Sequence, residues 1–297
     1  MKKLITVFTP TYNRKENIHN CYNSLKAQTS YNFDWLIIDD GSTDSTDELI
    51  RKWQKNEDNF LLKYVYKENG GLHTGYNEGI KNTDTELFMC IDSDDWMPCD
   101  AIEKIEKIWA SISDKGYVGI MGIDRYENGD SVGDLFPEDV HEMYLHEKLT
   151  KYCIDGDKKM VHRTELLKKV APMPTFLGEK NFNPSYMMYQ LDKYGKMFVT
   201  NDCFCIVDYQ PDGMSSNIYK QYRNSPNSFA ETRKLYLSFP NQKNSFKLRQ
   251  YIHYDSSCFF AKKTLKGLKE APNTFLAIAM LPFGMLLSLF VNYKAKK

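Results

Sequence analysis

No charge of one sign dominates this 297-residue chain. Its 39 basic and 39 acidic residues cancel, which removes the electrostatic case for nucleic-acid binding. Neither GxGxxG nor the P-loop pattern GxxxxGK(S/T) occurs, so nucleotide hydride carriers and ATP-cleaving motors are disfavoured. There is no CxxC. The seven cysteines are scattered apart from Cys203-x-Cys205, a usage that reads as reduced thiols in a cytosolic compartment and argues against disulfides or a zinc site. His141 and His146 are five apart and fall off a shared helical face, so they read as no metal site. The opening "MKKLITVFTPTYNR" has too short an apolar run, ending at Pro10, for a signal peptide. No internal repeat and no low-complexity segment is visible.

What the chain does have is alternation. Leu4–Phe8, Trp35–Ile38, Leu61–Tyr66 and Leu87–Ile91 read as strands. Between and after them, Lys15–Gln28, the stretch following "DGSTDSTDE", Gly75–Lys81 and Asp100–Ser111 read as helices. Ser45 or Asp44 can cap the second of these, with Asp47 and Glu48 well placed near its N-terminus. Strand–helix alternation implies right-handed βαβ units and a mainly parallel sheet. After Gly116 the pattern loosens: Tyr117–Ile123 and Phe198–Tyr209 are strand-like, Val140–Tyr152 and Thr164–Val170 helical, and from about Tyr219 the chain reads as basic, aromatic helices. We expect three regions: a nucleotide-binding half over 1–112, an acceptor-binding half over 113–218, and a helical region over 219–297.

In a parallel sheet, ligands collect at the carboxyl ends of the strands. There the four runs are followed by "TPTYN", "DDG", "ENGG" and "DSDD". The last sits in "MCIDSDDWMP", where Asp92, Asp94 and Asp95 follow an apolar run directly. Acids that close repel one another unless something positive sits among them. On an extended chain, Asp92 and Asp94 point alike; a hard divalent cation, Mg²⁺ or Mn²⁺, suits such oxygens and shares its other positions with water and phosphate. Asp155-Gly156-Asp157 has the same spacing but no strand before it and reads as a loop beside Lys158 and Lys159.

Together "VFTPTYNR", "LIIDDGSTDST", "ENGGLHTGYNEG" and "CIDSDDW", in this order and spacing, resemble the family 2 glycosyltransferases of GT-A fold. The resemblance is close over residues 4 to about 110 and looser over about 150 to 215. It implies an α/β, Rossmann-like, mainly parallel sheet flanked by helices, and an inverting, metal-dependent hexosyl transfer from a nucleotide-diphospho-sugar, most often a UDP-sugar. Carried over by position, Pro10, Thr11 and Tyr12 line the nucleoside pocket and Asp40 holds the base. Asn69, Gly71, His73, Ser93 and Asp95 complete the donor site, while Asp92 and Asp94 form the metal motif. Relatives often place the catalytic base in a Gly-Glu-Asp stretch; here Leu177-Gly178-Glu179-Lys180 stands there, making Glu179 the candidate. "DYQPDGMSSN" (Asp208–Asn217) matches a late loop in which Ser215 and Ser216 would face the diphosphate.

Phe275–Val291 is seventeen residues without a charge, interrupted by Pro282 and Gly284. Lysines flank it on both sides: Lys262, Lys263, Lys266 and Lys269 before, Lys294, Lys296 and Lys297 after. Seventeen residues is at the short limit for a span, and lysines at both ends argue against opposite sides. The expectation is a tail lying in the cytoplasmic leaflet, peripheral to the inner face of the membrane; the alternative is a buried C-terminal helix. The expected partners are a nucleotide-sugar donor and a saccharide or lipid-linked acceptor, in cell-surface polysaccharide synthesis. Two competing readings stay open: a scaffold that binds sugar nucleotides without turnover, and a nucleotidyltransferase, whose usual glycine-rich N-terminal loop is missing from "TPTYNRKEN".

Overall fold

The computed structural model describes residues 2–208 and 218–296. The chain divides into two compact units, Met1–Met173 with Met187–Asp208, and Pro174–Tyr186 with Tyr209–Lys297.

The first unit is built on one eight-stranded sheet. Its strands are β1 (Ile5–Thr11), β2 (Phe33–Asp39), β3 (Leu62–Tyr66), β4 (Leu87–Cys90), β5 (Gly119–Tyr126), β6 (Glu142–Met143), β7 (Lys158–Arg163) and β8 (Met197–Val207), in the spatial order β3-β2-β1-β4-β7-β5-β8-β6. Strands β3, β2, β1 and β4 run parallel. Each is joined to the next through a helix: α1 (Ile18–Lys26), α2 (Thr46–Gln54) and α3 (Leu72–Lys81), with α4 (Ala101–Ile112) following β4. Because helices cover both faces, β1 and β2 are nearly continuous apolar runs, and their residues Ile5, Val7, Phe8, Trp35, Ile37 and Ile38 are fully buried. The helices present one apolar stripe each; on α1 it is Ile18, Cys21, Tyr22 and Leu25, and on α4 Ala101, Ile102, Ile105, Trp109 and Ile112. At the start of α2, Asp44 rather than Ser45 does the capping work: its carboxylate accepts from the Thr46 amide at 3.1 Å, while Ser45 makes no side-chain cap bond.

Two features depart from expectation. Residues 158–163 form β7, which enters antiparallel between β4 and β5 and makes the centre of the sheet. Its sequence, "KKMVHR", carries four basic or titratable residues in six, so neither apolar alternation nor an apolar run announces it. The helix expected over Val140–Tyr152 is only the four-residue α5 (Glu147–Thr150), preceded by β6. Here Glu142 pairs with Phe198 and Met143 with Met197, and tertiary pairing overrides a weak helical pattern. Helix α6 (Thr164–Val170) follows β7, and α7 (Ser185–Tyr189) precedes β8.

The second unit is helical: α8 (Ile218–Asn224), α9 (Pro226–Leu237), α10 (Asn244–Phe260), α11 (Thr264–Glu270) and α12 (Thr274–Lys294). Tyr251 and Tyr254 of α10 are completely buried against neighbours from α9, α11 and α12. Helix α12 starts on a side-chain cap, Asn273 Oδ1 accepting from the Leu276 amide at 3.0 Å. It is long and apolar enough to cross a membrane by length and composition.

Candidate active site

The parallel register brings the four polar loops to one edge of the sheet. Thr11 pairs with Asp39 at the ends of β1 and β2, and Asp39 with Tyr66 at the end of β3. Beyond these pairs the loops are knotted together. The Asp40 amide donates to the Thr11 carbonyl at 2.8 Å. Asn13 donates its amide to Ser42 Oγ at 2.8 Å and accepts from the Thr43 amide at 2.8 Å. Asp44 accepts from the Lys15 amide at 3.0 Å.

Asp40 is the centre of the second loop. One carboxylate oxygen accepts from Lys67 Nζ and from the Gly70 amide at 2.9 Å; the other accepts from the Gly71 amide at 2.8 Å. Asp40 thereby fixes the glycine-rich turn that leads into α3. Gly41, at φ +88°, lets that turn approach closely, since a Cβ there would lie 2.9 Å from the Asn69 nitrogen. Neighbouring Asp39 is fully buried and accepts from the Ser42 amide and the Tyr64 hydroxyl, both at 2.8 Å. Pro10 and Thr11 end β1 beside this knot, and the Thr11 hydroxyl is buried without a hydrogen-bond partner. Tyr12 stands half-exposed, whereas His73 is turned inward at 1% exposure.

The acidic loop is a turn rather than an extended segment: β4 stops at Cys90, and the Asp95 amide donates to the Asp92 carbonyl at 3.1 Å. The alternation expected of Asp92 and Asp94 therefore does not apply as a strand rule. The turn nonetheless leaves Asp92 exposed and Asp94 half-buried, with Ser93 and Asp95 buried. Burial raises the Asp94 carboxyl, and the charge of Asp92 raises it further, while Arg14 from the β1–α1 loop pulls it back. Arg14 thus ties the acidic loop electrostatically to the loop after β1. The far side of the turn is anchored where Trp96 pairs with Ile206 of β8 through bonds of 3.0 and 2.7 Å.

Beneath the turn lies a group that sequence reasoning missed. Lys159 of β7 is largely covered, its side chain 12% exposed and its Nζ 3.8 Å from Asp95 Oδ2. Burial drives the Lys159 ammonium down, but Cys205, Asp124, Asp95 and Asp92 outweigh it and hold the group well above its ordinary value. Asp95 is pushed up to about 7 by burial, against the pull of Lys159. Asp124 of β5 is pushed up to about 6 by burial, again against Lys159, and its Oδ1 has no hydrogen-bond partner. Lys159 and Asp124 carry no motif signal; only the pairing of β7 beside β5 brings them together.

Among the described residues no three His, Cys, Asp or Glu side chains form a metal-holding group. Two carboxylates are nevertheless what a Mg²⁺-like ion asks of a protein when phosphates supply the rest. The repulsion between Asp92 and Asp94 fits such an ion, since a cation would relieve it.

Glu179 lies in the second unit, buried, with both oxygens engaged. Oε1 accepts from the Asn227 amide at 2.9 Å and its Nδ2 at 2.6 Å; Oε2 accepts from the Ser228 amide at 2.8 Å and its Oγ at 2.7 Å. These donors form the first turn of α9, so the carboxylate acts as an external cap on that helix. Ser215 and Ser216 lie outside the described residues.

Comparison with known proteins agrees with this architecture. The chain is 30% identical over 189 residues to the glycosyltransferase GlyA of Streptococcus pneumoniae serotype 4, covering 60% of this chain but only 27% of that protein. The chain thus spans well under half of that relative's length. S. aureus TarS 1-349 in complex with UDP-GlcNAc superposes with TM-score 0.58 at 18% identity, covering 98% of this chain and 92% of that one. The mannosyltransferase PcManGT of Pyrobaculum calidifontis, in complex with GDP-Man and Mn²⁺, superposes with TM-score 0.57 at 18% identity, covering 100% and 84%. The family model Glycosyl transferase family 2 matches residues 6–170, which contain all four strand-end loops and both central strands β7 and β5. On that match, over more than half its length, the chain belongs to glycosyl transferase family 2.

Proposed function

We propose that the protein is an inverting glycosyltransferase that moves a sugar from a nucleotide-diphospho-sugar, a UDP-sugar by preference, to a saccharide or lipid-linked acceptor in cell-surface polysaccharide synthesis. The observation that supports this reading is the linkage of the four strand-end loops through Asp40, Asn13 and Arg14, which gathers them at one edge of the sheet with an acidic turn among them. Pro10, Thr11 and Tyr12 would line the nucleoside. Asp40, with Asn69 and Gly71, would shape its far wall, His73 would support that wall from within, and Ser93 and Asp95 would meet the donor sugar. Asp92 and Asp94 would hold a Mn²⁺ or Mg²⁺ ion, which when bound supplies positive charge to a departing diphosphate. Two fold neighbours whose structures hold UDP-GlcNAc, or GDP-Man with Mn²⁺, support a donor and ion of this class.

An inverting transfer also needs a base for the acceptor's proton. Glu179 is the residue that position nominates. Its four donors favour a second role, positioning the 174–186 segment against the start of α9. This same engagement is what supports the competing reading of a donor-binding scaffold without turnover. The apolar α12, with lysines beyond both ends, supports attachment to the cytoplasmic leaflet of the membrane.

Transfer and donor hydrolysis with Mn²⁺, read by mass spectrometry over a panel of UDP-, GDP- and dTDP-sugars, test the proposal. One donor should be consumed, and Asp94→Asn should slow its consumption by about 100-fold or more, the scale of a lost electrostatic group at a transition state. Saturable donor binding with no turnover across the panel and a range of acceptors would establish the scaffold instead.

A further inference from the structure

Helix α12 is built inside-out for a helix in water. Its inward stripe is mostly small: Ala277, Gly284 and Ser288 are buried, together with Val291. The large apolar side chains point outward, with Phe275 85% exposed and Leu286 and Leu289 above 60%. A soluble amphipathic helix does the reverse. Small residues at the contact and bulky ones outside are how helices pair in lipid. The contact is close: a Cβ on Gly284 would lie 2.6 Å from the Asp255 Cβ of α10. It is also hydrogen-bonded, with Ser256 and Ser288 hydroxyls 3.0 Å apart and Ser288 Oγ donating to the Gly284 carbonyl. Helices α10 and α12 are therefore closely packed as a pair.

Along one side of this pair the seam opens. Tyr219 and Tyr222 of α8, His253, Ser257 and Phe260 of α10, and Phe290 of α12 line much of a cavity of about 280 Å³. Among the described residues none that line it carries a fixed charge, and burial holds the His253 imidazolium down at about 4, with Arg233 and Arg249 adding to the effect. The volume falls just short of the usual range for a drug-sized ligand. Phe290 forms part of the cavity wall and is also 47% exposed on the outward face of α12. Phe290 is thus shared by the cavity wall and the exposed surface of α12.

We infer that the α8–α10–α12 cavity is a lipid site that takes the end of one acyl chain of a bilayer phospholipid while the outward face of α12 rests in the membrane. The inference depends on the membrane attachment proposed above. The occupant follows from the surroundings: an uncharged wall suits a hydrocarbon chain, and exposed lysines 262, 263, 266 and 269 before α12, with 294 and 296 at its end, suit the anionic headgroup region. At a rise of about 1.5 Å per residue, α12 is roughly 31 Å long, and lysines at both ends place it along the leaflet rather than across it.

The full chain is mixed with vesicles of phosphatidylcholine and phosphatidylglycerol that contain a phosphatidylcholine bearing a diazirine on its acyl chain. Sedimentation reports attachment, and mass spectrometry maps the photolabel. The expected labels fall on the outward residues Phe283, Leu286 and Leu289 and, separately, on Tyr222 and His253 within the cavity. Ser257→Leu pushes a side chain into the cavity. It should leave sedimentation and outward labels unchanged and cut cavity labels about tenfold, as withdrawing roughly two buried methylenes from the chain would. Sedimentation with outward labels alone overturns the lipid site and leaves the membrane attachment standing. Cavity labels that persist undiminished in Ser257→Leu also overturn it. Failure to sediment overturns both.

Discussion

Replacing Glu179 by Gln distinguishes a clamp from a base, because the two roles predict opposite signatures. The carboxylate is buried and accepts four hydrogen bonds, two from Asn227 and two from Ser228. Gln keeps the shape but offers one acceptor oxygen, so its NH₂ must face one of the two donor pairs. The Ser228 hydroxyl can turn to accept; the facing amide cannot. At least one charge-assisted bond is lost and two are weakened, each worth about 1.5–3 kcal/mol, and the favourable charge at the α9 N-terminus goes too, worth about 0.3–1 kcal/mol. The expected cost is about 3–5 kcal/mol, a fall in Tm of roughly 10 °C or more. Differential scanning fluorimetry on the full chain, with donor turnover measured well below the new Tm, reads both signatures. A clamp gives the Tm loss with turnover reduced by less than about tenfold at low temperature. A Tm within about 1 °C of wild type, together with loss of turnover by about 100-fold or more, would refute the clamp and restore Glu179 as the base.

Other perturbations follow from the buried charges. Lys159→Met leaves Asp95 and Asp124 without their cation and should cost about 3–5 kcal/mol. Both acids already sit above their usual range in the fold, so protons relieve the loss: the variant should be nearer to wild type at pH 5.5 than at pH 8, and equal losses at both would contradict the pairing. His162 of β7 is pushed down to about 4 by burial, with neither ring nitrogen partnered. The unfolded chain therefore binds its proton first, and stability falls as pH drops below about 6.5, by up to about 3 kcal/mol near pH 4. His162→Phe should flatten that acid limb of a Tm-against-pH curve; an unchanged limb would count against the assignment. Asp255 of α10, pushed up to about 7 by burial, binds its proton more tightly folded than unfolded, so its burden grows as pH rises from about 4 to 7. Asp255→Asn should raise Tm at pH 8 by several degrees and at pH 5 by less than half as much, and a larger gain at pH 5 would reverse the argument.

The first half of the sheet was legible because parallel strands buried on both faces read as apolar runs, and because their ends carry polar residues too unusual to be filler. Val7-Phe8, Leu36-Ile37-Ile38 and Phe88-Met89 announce β1, β2 and β4, and the loops after them fall where such sheets hold ligands. The apolar tail was equally plain from composition. The centre of the sheet was not legible. "KKMVHR" has the appearance of a surface loop, and its burial makes sense only once Asp95, Asp124 and Cys205 surround Lys159. Residues 140–152 failed for the opposite reason: a faint helical pattern gave way to a two-residue strand pairing with β8. At the candidate site, position nominated Glu179, but its oxygens are already taken by the first turn of α9, a partner that lies some fifty residues away in sequence.

The late entry of β7 bears on how this polypeptide acquires its shape as it leaves the ribosome. When Leu87–Cys90 has emerged, its outer edge has no neighbour, and the hydrogen-bonding partners for Leu87, Phe88 and Met89 are still some seventy residues from being synthesised. Such distant pairing slows folding and leaves a sticky, unpaired border in the interim. The basic character of "KKMVHR" then acquires a second meaning: the segment stays soluble as it emerges because it is charged, and its acidic counterparts Asp95 and Asp124 are already synthesised when it arrives.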